Sequence, residues 1–353
     1  MAASDGRHCF VPAREPTAAP AGQVVPVTYF VTGATGFLGG ALVRALRADG
    51  HAVRALVRNP SAAAPLAALG VELHPGDITD KATMRAPMTG VDGIFHVAGW
   101  YKIGLRDRQA AVAINIEGTR HVLELMQELG IRKGVYTSTL AVNSDTGGTL
   151  VDESFRFEGR HVTVYDWSKH EAHKVADAFI ARGLPLTIVQ PGLIYGPGDT
   201  SGVRTMLLQY LQRKLPAVPS GPAYCWAHVD DEARGHILAM EKGTPGRNYF
   251  LAGPAHTLVE ALEIAERVTG IPVPKRRLSP AVLKAAAAVM RVPAAVLPLP
   301  PSMAPESLRV LAGVTYLGDA TRAREELGWH PRPLREGLAQ TLRHEMQRLG
   351  MAP

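Results

Sequence analysis

"VTYFVTGATGFLGGALVRALRADG", residues 27–50, runs from a short apolar stretch through a glycine-spaced turn into a helical pattern. Residues 27–32 read as a strand, and the helix that follows stops at Gly50. Gly33, Gly36 and Gly39 stand three apart at the junction. Glycine there permits the tight turn and lets backbone approach a pyrophosphate, whose charge meets the helix N-terminus. The spacing departs from G-x-G-x-x-G, so the reading leans on position: the motif leaves a strand and opens a helix. Together with Thr35, Phe37 and Leu38, these glycines are predicted to bind a dinucleotide.

Outward from this unit, the strand signal recurs in "AVRALV" (52–57), "VELHPGD" (71–77), "DGIFHVA" (92–98), "GVYTS" (134–138) and "LTIVQP" (186–191). Helical patterns lie between several of them, notably at 113–130. Such alternation predicts an α/β fold, a Rossmann-type doubly wound parallel sheet with ligands at the carboxyl ends of the strands. After about residue 195 the pattern loosens and prolines multiply. The expected organisation is an N-terminal tail (1–26), a dinucleotide-binding domain (27–195) and a smaller C-terminal substrate lobe (196–353), with segments returning to the sheet.

The 353-residue chain is 46% hydrophobic, enough for this plan. Cys9 and Cys225 lie far apart and suggest no disulfide framework, which fits a cytoplasmic protein. Residues 1–25 lack the continuous apolar core of a signal peptide. The best membrane candidate, 281–301, is broken by Lys284, Arg291 and four prolines, so no span is expected. The net charge of +6 is spread along the chain; nothing beyond charge argues for nucleic acid, and an anionic cofactor is an adequate reason for the excess.

The end of the second strand discriminates between nicotinamide cofactors. A carboxylate there would meet ribose hydroxyls, whereas an arginine suits a 2′-phosphate. "ALVRNP" offers Arg58 and no nearby acid, which favours NADP, with NAD as the alternative. Asp77, followed by Ile78 after the third strand, is placed to meet the adenine amino group. Between the fifth and sixth strands, "VYDWSKHEAHKVADAF" (164–179) sets Tyr165 and Lys169 one helical turn apart, in line with the apolar stripe Ala172, Ala176, Phe179. Thr137 and Thr139 leave the fifth strand ahead of them.

At this point the sequence resembles the extended short-chain dehydrogenase/reductase superfamily, the NAD-dependent epimerase/dehydratase family. The marks "TGATGFLG", "FHVAG", "NIEGT", "TSTLAV", "YDWSK", "PGLIYGPGD", "HVDD" and "LGWHPRPLREGLAQT" run in order over residues 27–342. The wording is most similar to dihydroflavonol-4-reductase-type enzymes. The resemblance implies that Tyr165 is the catalytic acid/base and that Lys169 holds the nicotinamide ribose and lowers the tyrosine pKa. It implies that Thr139 is the catalytic hydroxyl and that Asn115 serves a water-linked proton relay. Val97, Ala98 and Gly99 would line the cofactor, and Pro191, Gly192, Leu193 and Ile194 would pass under the nicotinamide. It also leaves room for a homodimer.

Physical chemistry supports the pairing. A tyrosine pKa near 10 is too high for a base at neutral pH, and a lysine charge ~4 Å away contributes up to roughly 4 kcal/mol. Trp100 and Tyr101 follow the fourth strand, where they could wall a substrate cleft or simply pack under a loop. His96 reads as a hydrogen-bonded core histidine. His170 and His173 read as a solvated helix face without the partners a metal needs, so no metal site is predicted.

Three function classes follow: a reductase or dehydrogenase acting with NADP(H) on a carbonyl or alcohol, a sugar epimerase or dehydratase, and a non-catalytic cofactor-binding sensor. The presence of Tyr165 and Lys169 argues against the sensor. Nucleotide-sugar enzymes of the superfamily often carry arginines where this chain has Tyr224 and Gly198, which disfavours the second. The face Val282, Leu283, Ala286, Val289 and Met290 is expected to be buried, and a small hydrophobic carbonyl compound is the expected substrate.

Overall fold

A computed structural model describes residues 26–102, 107–297 and 299–351; the N-terminal tail and Cys9 lie outside them. The first half builds β1 (Thr28–Thr32), α1 (Phe37–Ala48), β2 (Ala52–Val57), α2 (Ala64–Ala67), β3 (Glu72–Pro75), α3 (Lys81–Met88) and β4 (Gly93–His96). Then α4 (Arg108–Ala111) passes through a π-helical turn (Val112–Glu117) into α5 (Gly118–Glu128). β5 (Gly134–Thr137), α6 (Val164–Ile180) and β6 (Leu186–Pro191) complete the alternation. The helical segment expected from residue 113 thus begins earlier, and Asn115 sits inside its π-helical turn.

The remainder comprises β7 (Leu193–Tyr195), α7 (Gly202–Leu211), β8 (Val218–Pro219), β9 (Ala223–His228), α8 (Val229–Lys242), β10 (Asn248–Leu251) and β11 (Ala255–Thr257). After these come α9 (Leu258–Thr269), β12 (Arg277–Leu278), α10 (Pro280–Val289), α11 (Pro293–Val296), α12 (Pro305–Leu311), β13 (Thr315–Tyr316) and α13 (Leu334–Arg348).

Seven strands form one parallel sheet in the order β10-β6-β5-β4-β1-β2-β3. Its outermost strand, β10, comes from far beyond residue 195 in sequence. Except at its edge strand β3, the sheet is buried on both faces, which explains its high Val, Ile, Leu and Phe content. Leu42, Val43 and Leu46 of α1 and Ile237 and Met240 of α8 cover one face, while Met84, Leu123, Met126, Ala176 and Phe179 cover the other. A second sheet, β11-β9-β13 with β7 paired to the end of β9, carries its own core of Tyr195, Tyr210, Trp226, Leu262, Leu338 and Leu342. Two glycines join the sheets at close quarters: a Cβ on Gly192 would fall 2.3 Å from Cys225 O, and one on Gly253 1.9 Å from Trp226 O. Among the described residues no helix is long and apolar enough to cross a membrane.

One expectation fails in the lobe. Leu283 and Ala287 form the inner face of α10, while Val282 and Val289 point outward, 55% and 70% exposed. The apolar residues of α10 surround the helix rather than forming one stripe, so packing against α12 covers only part of them.

Candidate active site

The order reverses on either side of β1, so the loops leaving β1 and β4 diverge around a crevice at the carboxyl edge. Gly36 N donates to Gly33 O at 2.9 Å and closes the turn. Gly33 has φ +75°, and a Cβ on it would lie 2.6 Å from Ala98 N; one on Gly39 would lie 2.0 Å from Gly33 O. Ala98 N also donates to Thr32 Oγ1 at 3.2 Å, which fixes the Val97–Gly99 segment against the turn. Gly36 caps α1 with no side-chain bond and no acid stands in the first turn, so the leading N–H groups are left for an anion. Thr35 is exposed beside them, Phe37 half-buried and Leu38 buried. These residues fit a dinucleotide pyrophosphate.

Arg58 is exposed just past β2 and makes no hydrogen bond or ion pair among the described residues. Asp77 is less free than expected, because its Oδ1 accepts from Thr79 N and Thr79 Oγ1, each at 2.9 Å. Ile78 is buried against Gly118, where a Cβ would come within 2.7 Å of its Cδ1. Pro191 ends β6, and Gly192, Leu193 and Ile194 lead directly into the second sheet.

The helix α6 starts at Thr163, whose hydroxyl accepts from Asp166 N at 3.0 Å. That start sets Tyr165 beside the Thr139 hydroxyl, which in turn accepts from Ala141 N at 3.2 Å. The Tyr101 ring meets Tyr165 edge-on at 4.9 Å, while Trp100 is buried beneath the same loop. Burial, and next the Tyr101 neighbour, push the Tyr165 phenol above its ordinary pKa; the Thr139 hydroxyl opposes them.

This corrects the expected lysine tuning. Lys169 Nζ donates to Thr137 O at 2.8 Å and Tyr136 Oη at 3.1 Å, and burial lowers its own pKa to about 7. Its protons go to Tyr136 and Thr137 rather than to the phenol. Asn115 also differs from the relay expectation: Oδ1 accepts from Trp100 N at 2.6 Å, and Nδ2 donates to Trp100 O at 3.1 Å and Ser168 Oγ at 2.8 Å. Its side chain therefore clamps the β4 loop to α6.

Several buried partners escaped the sequence reading. Tyr136 receives Lys169 and stacks on His96 at 5.4 Å; His96 Nε2 meets Thr119 Oγ1 at 3.0 Å and its Nδ1 meets Thr32 Oγ1 at 2.8 Å. This chain of contacts links Lys169 to the β1 turn, and burial keeps His96 neutral with a pKa of about 3. The Thr137 hydroxyl faces His236 Nε2 at 3.0 Å, so only its carbonyl reaches the cleft side through Lys169. His173 is buried, not solvated: Ser138 Oγ lies 2.8 Å from Nδ1 and Asn248 Nδ2 3.2 Å from Nε2. Its one-turn spacing after Lys169 was the available signal. His170 stacks at a tilt on His161, 4.6 Å away.

The lobe side adds Tyr224, buried and stacked on Tyr316 at 6.0 Å, with Tyr316 Oη donating to Asp166 Oδ2 at 2.9 Å. Thr163 Oγ1 donates to Asp166 Oδ1 at 2.7 Å, yet burial still raises this carboxyl to about 7. A raised folded pKa contributes stability that is full below pH 3.8 and lost as pH climbs through 7. Three units correspond to about 4 kcal/mol. Asp166→Asn should therefore make the change of melting temperature with rising pH more positive over that window, since Asp166 and Glu232 pull it down while the neutral buried His96, His173 and His236 push it up. Melting curves collected across the window check this; a slope identical to the unmodified protein's would refute it.

A profile of the NAD dependent epimerase/dehydratase family matches residues 29–252. A "Putative dihydroflavonol 4-reductase" of Synechocystis sp. is 33% identical over 88% of this chain and 92% of its own length. "Sterol demethylase protein B" of Methylococcus capsulatus is 32% identical over 89% of this chain and 96% of its own. The crystal structure of gox2253 is 31% identical, with TM-score 0.80, covering 92% of this chain and 99% of that one.

Proposed function

This chain belongs to the NAD dependent epimerase/dehydratase family, and from that premise we propose that it reduces hydrophobic aldehydes or ketones with NADPH. It is an oxidoreductase of the extended short-chain dehydrogenase/reductase type. The observation that carries the finer reading is the cleft at the start of α6. There Tyr101, Tyr165, Tyr224 and Tyr316 gather around a buried Asp166 and present aromatic surface, with no pair of arginines among the described residues around them. Such a wall suits an apolar or aromatic carbonyl compound better than a diphosphate. Relatives named for dihydroflavonol and sterol chemistry are consistent with it.

The bound nicotinamide supplies the hydride. Tyr165, held protonated by its raised pKa, would donate its proton to the carbonyl oxygen, with the Thr139 hydroxyl beside the phenol. Lys169 would hold the nicotinamide ribose, and the glycine turn after β1 would receive the pyrophosphate.

Arg58 is the proposed partner of the 2′-phosphate. Arg58→Ala should weaken NADPH roughly tenfold or more, the worth of a charge-assisted contact, while leaving NADH unchanged. Fluorescence titration of both cofactors tests this, and equal losses would remove Arg58 from the role. The substrate reading is tested by calorimetry with NADP⁺ present. Turnover of apolar carbonyl compounds without affinity for UDP- or GDP-sugars is expected; micromolar binding of a nucleotide sugar without such turnover would overturn it.

A further inference from the structure

Eight large apolar or aromatic side chains are strongly exposed among the described residues, and five fall between residues 282 and 303. Val282, Val289, Val292, Leu297 and Met303 are 55%, 70%, 76%, 60% and 48% exposed. Ala281, Ala285 and Ala288 extend the outward side of α10, on which Lys284 is the only polar residue. The same stretch has a one-sided charge. Between Glu266 and Glu306 the sequence holds no Asp or Glu but carries Arg267, Lys275, Arg276, Arg277, Lys284 and Arg291. The last five are exposed, and none enters an ion pair among the described residues.

We propose that this surface docks on an anionic lipid bilayer, with α10 and the following turn lying in the headgroup layer. A ten-residue helix cannot span a bilayer, but apolar side chains flanked by unpaired cations are what interfacial binding requires. The charge argues against the two other occupants. A second copy would bring five unpaired cations against five more around a two-fold axis. The chain's own residues 1–25 carry Asp5 and Glu15 against Arg7 and Arg14, a net of zero, and so offer no complement. The surface also adjoins the cleft: α12 packs on α10, its Arg309 donates to Val162 O at 3.5 Å just before α6, and β13 then supplies Tyr316.

The test is co-sedimentation of the full chain with phosphatidylcholine vesicles, with and without phosphatidylglycerol, at low and high salt. Binding is expected only to the anionic vesicles, and high salt should release it. Replacing the cationic run by Lys275→Gln, Arg276→Gln and Arg277→Gln together should weaken partitioning about a hundredfold. Val289→Ser with Val292→Ser should weaken it about tenfold. Both changes lie on exposed side chains, so unchanged melting and unchanged NADPH binding would confirm folded variants. Equal binding to neutral vesicles, or none to anionic ones, overturns the proposal. So does a dimer by light scattering that dissociates in the Val289/Val292 variant, which would assign the surface to a second copy. Binding that emerges only after residues 1–25 are deleted would assign it to that segment and equally overturn it.

Discussion

Tyr165→Phe should reduce carbonyl turnover about a thousandfold, within the range for loss of a positioned acid, while nicotinamide cofactor affinity stays within about twofold. The ring that packs against Tyr101 is kept, and only the proton donor beside Thr139 is removed. Single-turnover rates with NADPH, set beside a cofactor titration, separate the two effects. A Phe variant with near-normal turnover would take Tyr165 out of the chemistry. Lys169→Ala should instead damage both quantities. Its amine is buried between Thr137 O and Tyr136, so the change opens a cavity beside Tyr136 as well as removing a donor.

Gly39→Ala should weaken nicotinamide cofactor binding by on the order of a hundredfold, the cost of displacing binding groups by about 1 Å. The added methyl would lie 2.0 Å from Gly33 O and 3.1 Å from Ala34 Cα, both backbone atoms that cannot rotate away. Relief must come from parting α1 from the β1 turn, and the N–H groups facing the pyrophosphate move with it. Gly40→Ala is the control: one position on in the same helix, its nearest neighbour would be the mobile Arg44 guanidinium at 3.5 Å. It should bind cofactor normally. Calorimetric titration of both variants decides the matter, and equal affinities would refute the steric account.

The pH dependence of stability separates two buried groups that a sequence reads as ordinary. Asp166 loses its stabilising effect as pH rises to 7, whereas Lys169, lowered to about 7, contributes stability that is present above its ordinary value of 10.5 and lost as pH falls through 7. Neither sign follows from residue type. Burial under the β13 and β5 segments decides both.

Residues 27–191 declared the sheet because the inner parallel strands, buried on two faces, must be largely apolar. Two glycines of the triplet, Gly33 and Gly39, were equally legible: only a residue without Cβ tolerates backbone at 2.0–2.6 Å, so steric necessity wrote them into the sequence. The Tyr165–Lys169 spacing followed from the helical repeat. What that repeat could not convey was where each side chain spends its hydrogen bonds. Lys169 turns to Tyr136 and Thr137, Asn115 to the Trp100 backbone, and His173 to Ser138; each partner lies 15 or more residues away in sequence. Tertiary packing alone brings them together, because a buried polar group takes whichever partner the fold places within reach. The outer side of α10 is the converse case. Its composition demanded a cover for apolar surface, and the folded lobe supplies one only along Leu283 and Ala287, leaving the valines and their cations to solvent.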